Sequence, residues 1–173
     1  MNIRQDCAYA GIGSRKTPQT TLDQMTALAD QLAKCGWTLR SGGAKGADTA
    51  FEQGASKKDI FLPTGDIPDE AFEIAAKHHP AWGGLKPYVK KLHARNVQQI
   101  LGRYLECEAK FVVCWTPDGA ETETTKETGG TGQAIRIANA YFVPVFNLAN
   151  EGRVEQLKDV CDCAEMQYSD YLG

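Results

Sequence analysis

Apolar residues follow two spacings that alternate along the chain. Short apolar runs predict five strands, at residues 8–12, 37–40, 59–62, 110–115 and 142–146. Between them, apolar residues recur every three or four positions, which is typical of helices with one buried face. These segments predict helices over 18–35, 47–55, 69–77, 87–104, 133–141 and 153–163, with the fifth helix starting near Thr131. Thr17 is the predicted N-cap of the first helix.

The long fourth helix has a predicted buried face. The apolar residues of this face recur at helical spacing. They are Val89, Leu92, Val97, Ile100 and Tyr104. Residues 110–115 form a continuous apolar run, which is typical of a strand buried on both faces.

Alternation of strands and helices predicts an α/β fold with a parallel sheet covered on both sides. Right-handed crossovers favour a three-layer, doubly wound, Rossmann-like domain whose five-stranded, mainly parallel sheet has the order 3-2-1-4-5. The 173 residues suit one domain spanning 1–173. Ligands of such sheets bind beyond the carboxyl ends of the strands where the winding reverses, here between strands one and four.

Three glycine-rich loops are expected to meet at that edge. Glycine lets the backbone turn tightly and approach a ligand, and the free N–H groups of a helix start hold an anion. The loops are Gly11-Ile12-Gly13-Ser14-Arg15, Ser41-Gly42-Gly43-Ala44-Lys45-Gly46-Ala47-Asp48 and Thr128-Gly129-Gly130-Thr131-Gly132-Gln133. Their convergence predicts a phosphate or nucleotide site.

Several side chains in and near these loops suit phosphate. Arg15 offers a planar fork of donors, and Lys45 a second cation. Arg95 lies beside an apolar helix face, where phosphate or Asp48 is its expected partner, while Asp48 itself either caps its helix or contacts a ligand hydroxyl. Asn96 is expected to tie loops together. The predicted ligand-binding residues are Gly11, Gly13, Ser14, Arg15, Ser41, Gly42, Gly43, Lys45, Asp48, Arg95, Asn96, Gly129, Gly130, Thr131 and Gly132.

Two common nucleotide motifs are absent from the sequence. A dinucleotide fingerprint would need a third glycine at position 16, where Lys16 stands, and an acidic residue after strand two, where Arg40 and Ser41 stand. The G-x-x-x-x-G-K-[ST] pattern does not occur. The sequence therefore argues against a Rossmann dehydrogenase and a P-loop NTPase.

The motifs that are present resemble a known family. Gly13-Ser14-Arg15, the loop 41–48, Arg95-Asn96 and the segment from Thr128 through Val143-Pro144-Val145-Phe146 are similar to the Rossmann-type domain of the DNA-processing protein A (DprA/Smf) family. The likeness covers about residues 9–147. It places the chain in the wider superfamily that also holds the "lonely guy" phosphoribohydrolases. The resemblance implies single-stranded DNA binding and help in loading a recombinase.

The sequence departs from these relatives in three ways. The family's flanking domains have no room in 173 residues. Glu52 stands where the DprA pattern tends to have histidine. Ile135 and Arg136 occupy the region where the phosphoribohydrolases carry a catalytic glutamate, which argues against hydrolysis by that route.

Three functions therefore stay open: binding of single-stranded DNA, binding or sensing of a free nucleotide derivative, and cleavage of an N-glycosidic or phosphate bond. For cleavage, Glu127 is the candidate acid or base, ahead of Glu121 and Glu123 because it lies nearest the third glycine loop. Trp82, Tyr88 and Trp115 are expected in the core or a lid, where one could stack on a base.

Composition narrows the setting. The net charge of −3 and the isoelectric point of about 5.6 give no bulk basic field, so nucleic-acid binding would need a local basic cleft. The six cysteines form no C-x-x-C pair, and no secretory or membrane-spanning segment is apparent, which predicts a cytoplasmic, disulfide-free protein without a membrane partner. His78 and His79 lack a third ligand, so neither a metal nor a cofactor is predicted. A homodimer is left open.

Overall fold

The computed structural model of the chain describes residues 7–160. Strands and helices alternate along these residues, with a short 3-10 turn at Trp82–Gly84. The strands are β1 (Ala8–Gly11), β2 (Thr38–Ser41), β3 (Lys58–Ile60), β4 (Val112–Cys114) and β5 (Val145–Asn147). The helices are α1 (Gln19–Lys34), α2 (Ala47–Gly54), α3 (Asp69–Lys77), α4 (Pro87–Leu101), α5 (Thr131–Ala140) and α6 (Arg153–Lys158).

The five strands form one parallel sheet of order β3-β2-β1-β4-β5, which confirms the predicted α/β architecture. Side chains alternate between two apolar layers, as the pleat of a strand requires. In β1 and β4, Ala10, Val112 and Cys114 join the layer that contains α4 and α5. Tyr9 and Val113 join the layer that contains α1 and α2. The central strands β1 and β4 are thus buried on both faces, whereas the edge strand β3 is exposed.

Two expectations about helix ends are wrong. The N-cap of α1 is Pro18, whose ψ of 151° is extended, and the Thr17 hydroxyl instead donates a hydrogen bond to the Ser14 carbonyl at 2.6 Å. Helix α4 ends at Leu101, because Gly102 has a φ of 85° that breaks the helical path. Tyr104 therefore lies beyond the helix and is 77% exposed, rather than part of its buried face.

The start of α5 is as predicted, and the last strand is shorter than predicted. Helix α5 begins at Thr131, so the glycines lead directly into it. Strand β5 begins at Val145 rather than at residue 142, because Phe142 has a φ of 58° that is incompatible with a strand. The predicted extension of the last helix to residue 163 lies outside the described residues.

Cysteine pairing differs from the expectation. Cys7 is disulfide-bonded, so the predicted absence of disulfides is wrong at this residue. Cys35, Cys107 and Cys114 are free thiols, and burial raises the pKa of Cys114, which suits an inert core residue. Sequence spacing could not reveal the bond at Cys7, because pairing depends on which cysteines the fold brings together.

Candidate functional site

A cavity of about 440 Å³ opens at the carboxyl edge of the sheet. The loops after β1 and β2, the start of α5 and the middle of α4 enclose it. Ten of the residues predicted from the sequence line this cavity: Gly13, Ser14, Arg15, Lys45, Asp48, Arg95, Asn96, Gly129, Gly130 and Thr131. The three glycine loops therefore meet in space, as the doubly wound topology requires.

The remaining predicted residues lie just outside the lining. A Cβ atom on Gly11 would lie 2.7 Å from the Leu39 side chain, so this glycine permits close packing of the core. The Ser41 hydroxyl and the Gly43 amide both donate to the Glu52 carboxylate, at 2.7 and 3.0 Å. Gly132 is buried in the first turn of α5. As ligand contacts these residues stay predictions, as does Gly42, which packs against Arg95.

Asp48 and Arg95 form the polar floor of the cavity. One oxygen of Asp48, Oδ2, accepts hydrogen bonds from the Gly42 and Ala44 amides, both at 3.2 Å, and so holds the second glycine loop in shape. The same oxygen lies 3.7 Å from Arg95 Nη1. Burial raises the pKa of Asp48 to about 6, outweighing the attraction of Arg95 and the two amide hydrogen bonds. The N-cap of α2 is Gly46, and Asp48 lies in the first turn of the helix, so the predicted capping role of Asp48 is wrong. Asp48 organises the loop instead.

Arg95 is itself incompletely satisfied. Its Nη1 donates to Gln99 Oε1 at 2.9 Å, while its Nε atom is buried without a hydrogen-bond partner. Burial lowers the pKa of Arg95, although Asp48 opposes this shift. A buried guanidinium with spare donors beside a cavity suits an incoming anion, because buried charges need partners.

The lining of the cavity is locally basic. Arg15, Lys16, Lys45 and Arg95 contribute four cations, and Asp48 is its single carboxylate. The first three cations are exposed to solvent, where they can meet a ligand as it enters. The start of α5 adds free backbone N–H groups and the positive end of a helix dipole. The protein as a whole is acidic, but this cleft is not.

His93 is a lining residue that sequence reasoning missed. Its Nδ1 lies 2.8 Å from Gln133 Oε1, which also accepts a hydrogen bond from Asn96 at 3.3 Å. Since Gln133 Nε2 donates to the Ala75 carbonyl at 3.0 Å, its Oε1 must accept, which assigns the proton of neutral His93 to Nδ1. Burial lowers the pKa of His93. The sequence contained one indication of this position: His93 lies three residues before Asn96 on α4, and residues three apart on a helix share a face.

The loop glutamates lie apart from the cavity lining. Glu127 is exposed, and its catalytic role stays a prediction. Glu121 accepts two hydrogen bonds from Arg153, at 2.8 and 2.6 Å, and one from the Asn147 amide at 2.9 Å. Glu121 therefore fixes the loop to β5 and α6, which is a structural task.

Two features are absent from the described residues. Within residues 7–160, no group of three or more His, Cys, Asp or Glu side chains could hold a metal ion. None of the helices in that part of the chain combines the length and apolar character needed to cross a bilayer.

Comparison with known proteins confirms the predicted resemblance. Residues 1–62, which carry the first two glycine loops, match the family described as DNA recombination-mediator protein A. A solved structure of DNA processing protein A from Helicobacter pylori, described for its unique single-stranded DNA binding mode, is 20% identical with a TM-score of 0.57. The match covers 96% of this chain and 73% of that one, and at this identity it shows the shared fold. Among curated proteins, no relative matches.

Proposed function

We propose that the carboxyl-edge cavity binds nucleotide phosphates and that its ligand is single-stranded DNA. The observation that carries the proposal is the meeting of four cations and the start of α5 around a space with one carboxylate. The match of residues 1–62 to a recombination-mediator family supports DNA as the ligand, and with it a role in recombination. The Helicobacter pylori protein of the same fold binds single-stranded DNA, which supports the same conclusion.

The surroundings of the cavity favour a strand over a single nucleotide. A neighbouring depression of about 530 Å³ shares Arg15, Lys45 and Arg95 with the cavity. Tyr88 lines this depression and is 58% exposed, so its ring is available for stacking on a base. The two spaces are adjacent, with the shared cations between them. Such an arrangement suits a backbone that runs past the cations with a base on the aromatic ring.

A free nucleotide derivative is the second candidate. A volume of about 440 Å³ lies within the range of small-molecule pockets. The net charge of −3 also weakens long-range attraction between the whole protein and a long polyanion, and a small nucleotide is less affected by it. Hydrolysis is the third candidate, and a panel of nucleotides incubated with the native protein and Glu127→Gln tests it: turnover that survives the substitution removes Glu127 as acid or base.

Fluorescence anisotropy with labelled oligothymidylates of increasing length tests the proposal. We expect affinity to rise with length until both spaces are filled and to fall steeply with salt, since phosphate contacts release counterions. Unlabelled thymidine monophosphate is the competitor that separates the first two candidates. Equal affinity for the monophosphate and the longest strand would favour the free nucleotide, and no binding of either at low salt would contradict a phosphate site.

A further inference from the structure

A second cavity, of about 800 Å³, lies at the opposite edge of the sheet, where β4 and β5 begin. The loop that follows α4 and the turn that precedes β5 line it. Both segments expose aromatic rings: Tyr104 is 77% exposed and Phe142 is 94% exposed. The carboxyl-edge site uses none of these residues.

The backbone of both segments adopts a costly conformation. Leu105 and Phe142, with φ of 62° and 58°, are the two non-glycine residues with positive φ among the described ones. Large side chains rarely adopt this region, which favours glycine and asparagine. Phe142 follows the end of α5, where its amide donates to the Asn139 carbonyl at 3.2 Å and the Val143 amide donates to the Ala138 carbonyl at 2.8 Å. These are the hydrogen bonds of a Schellman helix end, which fixes the positive φ of Phe142 and leaves its ring almost fully exposed at the cavity.

A buried cation lies beneath the aromatic rings. Arg40 of β2 lines the cavity and is only 3% exposed. Its Nη1 donates to the Cys107 carbonyl at 2.7 Å, while its Nε is buried without a partner. In the part of the chain that the structure describes, no carboxylate forms an ion pair with Arg40. A buried guanidinium normally has an anionic partner, and Arg40 has none within ion-pair distance among the described residues.

We propose that the amino-edge cavity docks a segment of a partner protein that carries one carboxylate between apolar side chains. The carboxylate binds Arg40, and the apolar side chains pack on Phe142 and Tyr104. Exposed aromatic residues and arginine are the usual anchors of protein interfaces.

The charges at the rim of the cavity nearly balance. Asp59, Glu106 and Glu108 line it together with Arg103 and Lys110, so the rim offers no excess positive charge to attract a polyanion such as nucleic acid. Arg40 is the buried charge among the lining residues. A single carboxylate can reach Arg40 while its apolar neighbours cover the rings. The two edges of the sheet would then serve different partners: nucleotide phosphates at the carboxyl edge and a protein at the amino edge.

The test uses the full chain, labelled with nitrogen-15, and the peptide acetyl-Phe-Glu-Phe-amide as probe. We expect saturable shifts of backbone amide signals in residues 102–108 and 141–143. The neutral peptide acetyl-Phe-Gln-Phe-amide should bind about tenfold more weakly, because it lacks the charge-assisted hydrogen bond to Arg40. Equal binding of the two peptides, or no saturable shift at these residues, would overturn the proposal.

Two variants locate the binding. Phe142→Asn removes the ring and keeps a residue that tolerates positive φ, so it should fold at least as well as the native protein and bind the glutamate peptide about fivefold or more weakly. Tyr88→Asn, at the other edge of the sheet, is the matched control and should bind it normally. Equal loss in both variants would contradict the assignment. A change from dimer to monomer in Phe142→Asn, measured by light scattering, would assign the surface to a second copy of the chain and overturn a foreign partner.

Discussion

Asp48 Oδ2 and Arg95 Nη1 lie 3.7 Å apart, with both side chains less than one-tenth exposed. This separation is too long for a hydrogen bond, so the two groups attract electrostatically and Arg95 Nε remains without a partner. Asp48 Oδ2 accepts hydrogen bonds from the Gly42 and Ala44 amides instead. The floor of the carboxyl-edge cavity is therefore held in shape without a ligand, and the Arg95 guanidinium can bind an anion there.

The first prediction concerns stability and pH. The pKa of Asp48 is raised from 3.8 to about 6, so between about pH 4 and pH 6 the folded protein keeps a proton on Asp48 that the unfolded chain releases. The contribution of Asp48 to stability is thus lost as pH rises from about 4 to about 6, by roughly 2–3 kcal/mol. Asp48→Asn can still accept the two amide hydrogen bonds but does not titrate. Urea unfolding at pH 4.5, 5.5 and 6.5 should show a smaller decline in this variant than in the native protein, and an identical decline would refute the assignment.

The second prediction concerns binding and pH. A phosphodiester beside Asp48 favours its neutral form, so affinity for an oligothymidylate should rise as pH falls through about 6. Asp48→Asn should bind more tightly than the native protein at pH 7.5 and vary less with pH. His93 also lines the cavity and gains charge in acid, so His93→Gln is the companion variant. If Asp48→Asn keeps the native pH dependence and His93→Gln loses it, the titrating group is His93 and the assignment to Asp48 is wrong.

The third prediction concerns Arg15, which lies at the cavity entrance and is exposed. Arg15→Ala should weaken oligothymidylate binding by about ten- to a hundredfold, since it removes a charge-assisted hydrogen bond. Its melting temperature should stay close to the native value, because exposed charges contribute little to stability. Lys57→Ala, which also removes an exposed cation but lies outside the cavity, is the matched control. A loss in the control as large as that in Arg15→Ala would indicate a general charge effect rather than a site.

The fourth prediction separates two glycines that look alike in sequence. A Cβ atom on Gly42 would overlap the Arg95 guanidinium, so Gly42→Ala should displace this side chain and weaken both folding and ligand binding. A Cβ atom on Gly130 has no neighbour within 4 Å, and the backbone φ of −63° is ordinary. Gly130→Ala should therefore melt like the native protein and weaken binding only where the backbone must approach a ligand.

The control for this pair is Gly83→Ala, since Gly83 also has open space around it and lies outside the cavity. Melting temperatures from circular dichroism and affinities from anisotropy, measured on all three variants, decide the comparison. A stable Gly42→Ala protein with native affinity would show that Arg95 can move without consequence and is not fixed by this contact.

The sequence by itself determined the sheet and the edge at which the candidate site lies. Alternating apolar patterns specify strands and helices, and the handedness of crossovers leaves few topologies, so the order 3-2-1-4-5 followed from local information. Glycine loops after strands one and two must then share an edge with the loop before α5. Arg15, Lys45 and Arg95 could be assigned to that edge because their loops or helix were already placed there.

Only the tertiary structure decided how individual side chains are satisfied. The ion pair of Glu121 with Arg153 and the proton position of His93 depend on partners 32 and 40 residues away in sequence. The hydrogen bonds of Asp48 are short-range, but they depend on the shape of the glycine loop, which its residue types do not specify. The amino-edge cavity was invisible for the same reason: Arg40, Gly102 and Phe142 come from three distant segments. Local patterns show which residues are apolar and which glycines allow unusual backbone conformations. Whether a buried polar atom has a hydrogen-bond partner depends on the assembled fold.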